Sequence, residues 1–79
     1  MSPTILREKG YRFFFFSREE RRKHVHVAGP SGEAKFWLEP EIELARNHNL
    51  SPSNIREIEG IIDGHLDEFK KAWDIRSAD

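Results

Sequence analysis

Two histidines, His24 and His26, stand one residue apart in the stretch His24-Val25-His26-Val27-Ala28. On a β-strand that spacing points both imidazoles to one side, within reach of a common phosphate or metal ion. Imidazole titrates near neutral pH and serves as general acid or base. Metal-independent RNA cleavage requires a base for the 2′-hydroxyl, an acid for the leaving 5′-oxygen and a cation for the developing phosphorane charge. His24, His26 and Lys35 have the chemistry for these catalytic roles. Trp37 can stack a base and Arg12 can contact a phosphate. The same residue types also make an ordinary solvated strand face, and both readings stay open at this point.

A metal centre has less behind it. Two histidines need a third ligand, and Glu33, the nearest carboxylate on the expected face, is not adjacent to His24. No metal and no cofactor are therefore expected. His65 reads as a hydrogen-bonded core residue, and His48 falls in a polar connection that supports no role. The chain has no cysteine, which excludes a disulfide framework, a thiolate nucleophile and Cys-based metal sites, and fits a reducing cytoplasm. No phosphate-binding glycine loop, nucleophile elbow, dinucleotide fingerprint or familiar nucleic-acid-binding motif is present.

The elements that position these residues follow from periodicity. Thr4 to Arg7 reads as a short strand, and Gly10 as a turn into Tyr11-Arg12-Phe13-Phe14-Phe15-Phe16, whose aromatic content favours β structure. Alternation puts Tyr11, Phe13 and Phe15 on one face and Arg12, Phe14 and Phe16 on the other. The charged run Ser17 to Lys23 reads as a solvated loop. Gly29-Pro30-Ser31-Gly32 is a turn signal between two further strands, 24–28 and 33–38. A turn centred on Pro30-Ser31 opposes Val25 to Phe36 and Val27 to Ala34 on a core side. It opposes His24 to Trp37, His26 to Lys35 and Ala28 to Glu33 on the other side. Glu41 to Ala45 reads as an edge strand or a single helical turn, and Arg46 to Leu50 as a connection.

Ser51 and Pro52 form a helix start, with a capping hydroxyl and a proline at the first helical position. From there to about Asp74, Ile55, Ile58, Ile62, His65, Phe69 and Ala72 step by three and four, flanked by Ile61, Leu66 and Trp73. Gly60 and Gly64 fall away from that stripe. The expected fold class is α+β, a small antiparallel sheet of three to five strands packed against one long C-terminal helix.

At 79 residues, 37% of them hydrophobic, the chain suits a single domain over 1–79 with a small core and no deep cavity. The net charge of −1 hides a division, because residues 1–36 carry +4 and residues 37–79 carry −5. Such a division suits a basic surface facing nucleic acid or an acidic partner, or simply a soluble surface. The N-terminus shows no targeting segment, and the apolar run Phe13 to Phe16 is far short of the roughly 20 residues of a membrane span. A cytoplasmic location without membrane association is expected.

Several stretches together resemble a known family: Pro3-Thr4-Ile5, Gly10-Tyr11-Arg12-Phe13-Phe14-Phe15-Phe16-Ser17, His24-Val25-His26-Val27, Gly32-Glu33-Ala34-Lys35-Phe36-Trp37-Leu38 and Ala45-Arg46-Asn47-His48. They resemble the small bacterial domain of unknown function 4160 (DUF4160), with the likeness extending through the helix to Phe69–Trp73. Members are often encoded beside domain of unknown function 2442 (DUF2442) in a layout typical of toxin–antitoxin modules, with the 4160-type protein taken as the toxin. The family has no established reaction, so the resemblance transfers no catalytic residues. Its histidine pair is often preceded by two prolines, where this chain has Arg22-Lys23 and hence a more basic loop.

These readings converge on a toxin component of a type II toxin–antitoxin module, acting on RNA or another cellular target. The resemblance implies a cognate antitoxin of the DUF2442 type as partner, and the sequence is compatible with a homo-oligomer. The alternative is a non-enzymatic interaction module that docks a partner on its sheet face or edge. Whether the protein is an enzyme stays open at the level of sequence.

Overall fold

The computed structural model describes residues 4–16 and 21–77, so Ser17 to Glu20, the first part of the charged loop, lie outside it. Five strands, β1 (Thr4–Glu8), β2 (Tyr11–Phe14), β3 (His24–Ala28), β4 (Glu33–Trp37) and β5 (Glu43–His48), are followed by helices α1 (Pro52–Gly64) and α2 (Leu66–Ser77). The strands form one antiparallel sheet in chain order, each paired with its sequence neighbour. The α+β expectation holds in its class and in its sheet.

Turn chemistry sets the hairpins. Lys9 and Gly10 both have positive φ, 53° and 85°, the two-residue turn whose twist matches that of the flanking strands. In the second hairpin the Gly29 N–H donates to the Gly32 carbonyl, 2.9 Å. The resulting pairs, His24 with Trp37, Val25 with Phe36, His26 with Lys35, Val27 with Ala34 and Ala28 with Glu33, are those the sequence predicts. Gly32 also admits β5: a Cβ there would collide with the His48 backbone carbonyl oxygen. Backbone cannot swing aside as a side-chain tip does, so Gly32→Ala is expected to cost about 1–3 kcal/mol, read as a lower urea midpoint with an unchanged slope.

One apolar cluster lies between the sheet and the helices. Tyr11, Phe13, Phe15, Val25, Val27, Phe36 and Leu38 supply the sheet side, and Ile58, Ile61, Ile62, Phe69 and Trp73 the helical side. Phe13 meets Phe69 at 5.6 Å between ring centroids and Phe15 meets Trp73 edge-on at 5.2 Å. The Tyr11 hydroxyl donates to Glu57 Oε1 and accepts from Asn54 Nδ2, each at 2.9 Å, which fixes the start of α1 over β2. Burial and the Glu57 carboxylate together push the Tyr11 phenol above its ordinary value, against the Asn54 hydrogen bond.

Two expectations are corrected. The fifth strand is not 41–45 but Glu43–His48, and it absorbs part of the expected polar connection. The register against β4 shifts between Lys35 and Phe36, leaving Ala45 as the extra residue of a bulge. All six residues of β5 are exposed, so this edge strand carries no buried-face alternation for the sequence to display. The helix start is as predicted, with Ser51 and Asn54 forming a reciprocal cap.

The single long helix is instead two. It breaks at His65, whose backbone leaves helical geometry and whose N–H donates to the Ile62 carbonyl three residues back. Gly64 weakens the helix there by about 1 kcal/mol relative to alanine. Asp67 and Glu68 then sit in the first turn of α2, where negative charge is favoured. Among the described residues no helix is long and apolar enough to cross a membrane.

His65 ties this break to the sheet. Its Nδ1 lies 3.1 Å from Glu68 Oε1 and its Nε2 3.2 Å from Glu8 Oε1 on β1. The Glu68 hydrogen bond is the largest influence on its pKa; desolvation opposes it, Glu8 adds to it, and the net direction is upward from 6.5. A raised folded value means that this stabilisation is complete below about 6.5 and is lost as pH rises through the folded pKa. The melting temperature should therefore fall over that interval in wild type and fall less in His65→Gln, with the imidazole resonances titrating above the free-histidine value.

Candidate functional site

The sheet face turned away from the helices holds most of the residues singled out from the sequence. Cross-strand register arranges them in rows. One row runs Arg7, Arg12, Ala28, Glu33, His48 and the next runs Thr4, Phe14, His26, Lys35, Arg46. A third holds His24, Trp37 and Glu43. Period-two alternation puts these side chains on one face in β2, β3 and β4, and the register shifts in β1 and β5 bring Thr4, Arg46 and His48 onto it.

The rings and cations form a connected layer. The Arg12 guanidinium lies 4.4 Å from the Phe14 ring centre, while Arg22 and Lys35 Nζ lie 4.3 and 4.5 Å from that of Trp37. Phe16, 44% exposed, meets His26 at 4.2 Å and Phe14 at 5.3 Å between centroids. Phe14 is nevertheless buried, because Arg12, Phe16 and His26 cover it. The Arg12 Nε is enclosed and has no hydrogen-bond partner among the described residues.

The structure separates the two histidines of the pair. His26 is half-buried and lines a depression on this face. His24 is 1% exposed, wedged 4.9 Å from the Trp73 ring of α2 and 5.7 Å from Trp37. Its Nδ1 lies 2.8 Å from the Arg22 carbonyl oxygen, which can only accept, so Nδ1 carries the hydrogen. His24 and His26 still touch, with centroids 5.4 Å apart. Lys35 is 6% exposed and lies beside His26 in the same row.

Two of the basic residues before His24, Arg22 and Lys23, are engaged by neighbouring elements. Arg22 donates to the Glu39 carbonyl at 2.8 Å and pairs with Glu43 at 3.2 Å. The Lys23 ammonium pairs with Asp74 at 2.9 Å, and its carbonyl accepts from Leu38. They tie the start of β3 to the β4–β5 connection and to α2.

Sequence reasoning missed three members of this face, Arg7, Arg46 and His48; it placed Phe16 there but not its contact with His26. Extending β5 to His48 brings in Arg46 and His48, and the bulge at Ala45 flips the strand's parity so that they fall on the face of Lys35 and Glu33. Among the described residues, no three His, Asp or Glu side chains converge as metal ligands.

The model of a protein family described as Domain of unknown function (DUF4160) matches residues 10–74. The chain belongs to this family. No curated protein and no solved structure matches it. The DUF4160 match takes in β2 to β5 and both helices up to Asp74, hence the outer face from Arg12 to His48. Strand β1, with Arg7, lies before it.

Proposed function

We propose that this DUF4160 protein binds single-stranded RNA across the outer face of its sheet and acts as the toxin of a toxin–antitoxin pair. The observation that carries the reading is the layer of arginine, lysine, phenylalanine, histidine and tryptophan on the face opposite the helices. Cations neutralise phosphates without regard to sequence, and aromatic rings stack unpaired bases. For strand cleavage, His26 is the imidazole placed to exchange a proton and Lys35 the cation beside it. His24 acts as a positioning residue, holding His26 through ring contact. The pairing with an antitoxin rests on the family resemblance.

Expression of the wild-type protein alone in bacteria is expected to arrest growth, and co-expression of the neighbouring DUF2442-type protein to relieve it. Normal growth with ample soluble protein overturns the toxin reading. Failure of purified protein to bind a fluorescein-labelled RNA hexamer at low salt overturns the RNA reading. A second reading has its own observation: β5 is a six-residue edge strand with every residue exposed, a template for strand addition by a partner. Tight binding of the neighbouring gene's product while total RNA stays intact and unbound favours that reading.

A further inference from the structure

Strand β5 is exposed at all six positions, Leu44 among them at 39%. We infer that two copies of this chain pair through it, edge to edge and antiparallel, about a two-fold axis at Leu44. The inference rests on the edge-strand reading of β5 and names the strand's occupant, a second copy.

The bulge decides the register. In an unbroken strand Glu43 and Arg46 would point to opposite faces. The extra residue at Ala45 puts both on the outer face, where they oppose Trp37 and Lys35 of β4. Residues opposed across an antiparallel pair share a face, so Glu43 of each copy can meet Arg46 of the other. An axis at Leu44 makes both of those contacts at once, flanking a contact of Leu44 with Leu44 on the inner side. Just before the strand, Ile42 then comes opposite Asn47 and Glu41 opposite His48. Moving the axis by one position sets Glu43 against Glu43 or Arg46 against Arg46, and like charges so placed are destabilising. The strand is therefore self-complementary in charge in one register. Glu43 already holds Arg22 through Oε1 at 3.2 Å, but its side chain stays 62% exposed, and a carboxylate can accept from a second guanidinium. Pairing also gives partners to the main-chain groups along the outer edge of β5. The axis is perpendicular to the sheet, so the outer faces of the two copies lie on one side and run into each other. The ladder is short and belongs with the weak end of protein interfaces, so association is expected at millimolar and not at low micromolar concentration.

Sedimentation velocity of the full chain across that concentration range, with amide spectra at each end, tests the inference. Wild type is expected to pass from monomer to dimer, with the amide shifts centred on Glu41 to His48. Glu43→Arg and Arg46→Glu each set like charges across the axis and are expected to weaken self-association about tenfold. An equimolar mixture of the two variants opposes arginine to glutamate at both contacts and is expected to restore association, as a heterodimer. A dimer that survives both reversals, or a mixture that stays apart, overturns the inference. If wild type stays monomeric at millimolar concentration while the neighbouring DUF2442-type protein shifts the β5 amides, the inference falls and the edge-strand reading stands. If neither a second copy nor that protein shifts them, both fall.

Discussion

Phe13→Ala is expected to leave the protein largely unfolded at 25 °C. Phe13 has no exposed surface and stands on β2 against Phe69 of α2, so it joins the sheet to the helix farthest from it in sequence. Truncating such a phenyl ring costs about 3–5 kcal/mol, through lost burial and the cavity left behind. A core of this size supplies a net stability of the same order. The contrast is Phe16→Ala, three residues on and on the opposite face, where the ring is 44% exposed and the change should stay within about 0.5 kcal/mol. Urea unfolding followed by far-UV circular dichroism distinguishes them. A cooperative Phe13→Ala transition shifted by less than about 1 kcal/mol would falsify the core described above.

The second large effect is on binding and runs against stability. Arg7 is directly opposed to Arg12, as Lys35 is to Arg46, so the outer face carries two cation pairs. The double substitution Arg7→Glu/Arg46→Glu puts a carboxylate opposite a cation in each. Opposite charges across strands contribute about 0.2–1 kcal/mol where like charges cost it, so the melting temperature is expected to hold or rise. RNA binding should weaken more than tenfold at low salt. The slope of log affinity against log salt should shrink by about 1.4, from two lost phosphate contacts at about 0.7 each on single strands. Unchanged affinity in a more stable variant would mean that the cations serve something other than RNA. Loss of both would mean that the paired cations hold the sheet together.

The β3–β4 hairpin was legible residue by residue because a turn signal and a buried apolar face agree on one register. The faces of Tyr11, Phe13 and Phe15 and the Ser51 cap were equally plain, being local consequences of alternation and of unsatisfied helical N–H groups. What escaped depends on non-local contacts or on absent patterning. Strand β5 has no buried face to betray its length. The break at His65 shows in Gly64 and in the acidic first turn of α2, but the apolar stripe runs across it unbroken and suggests one helix. His24 has the parity of the outer face and yet is buried, because Trp73, 49 positions along, closes over its ring. No spacing rule contains that contact. The same blindness hid Arg46 and His48, which become members of the site only once β5 reaches them.

The order of the strands has a consequence for how the chain assembles. Each strand pairs with the next in sequence, so every ladder closes a short loop at small entropic cost, and contacts of that kind form fast. The far-reaching ties come last: Tyr11 to Glu57 and Glu8 to His65 bridge 46 and 57 positions. During synthesis the whole meander is complete at His48, before the helices that cover its inner face have been made. For that interval Phe13, Val25, Phe36 and Leu38 form an apolar surface open to water, and the nascent chain is at its stickiest there. Termination of synthesis between Leu50 and Phe69 should therefore yield aggregate rather than a smaller soluble sheet, because the last third of the chain is the cover that the first two thirds require.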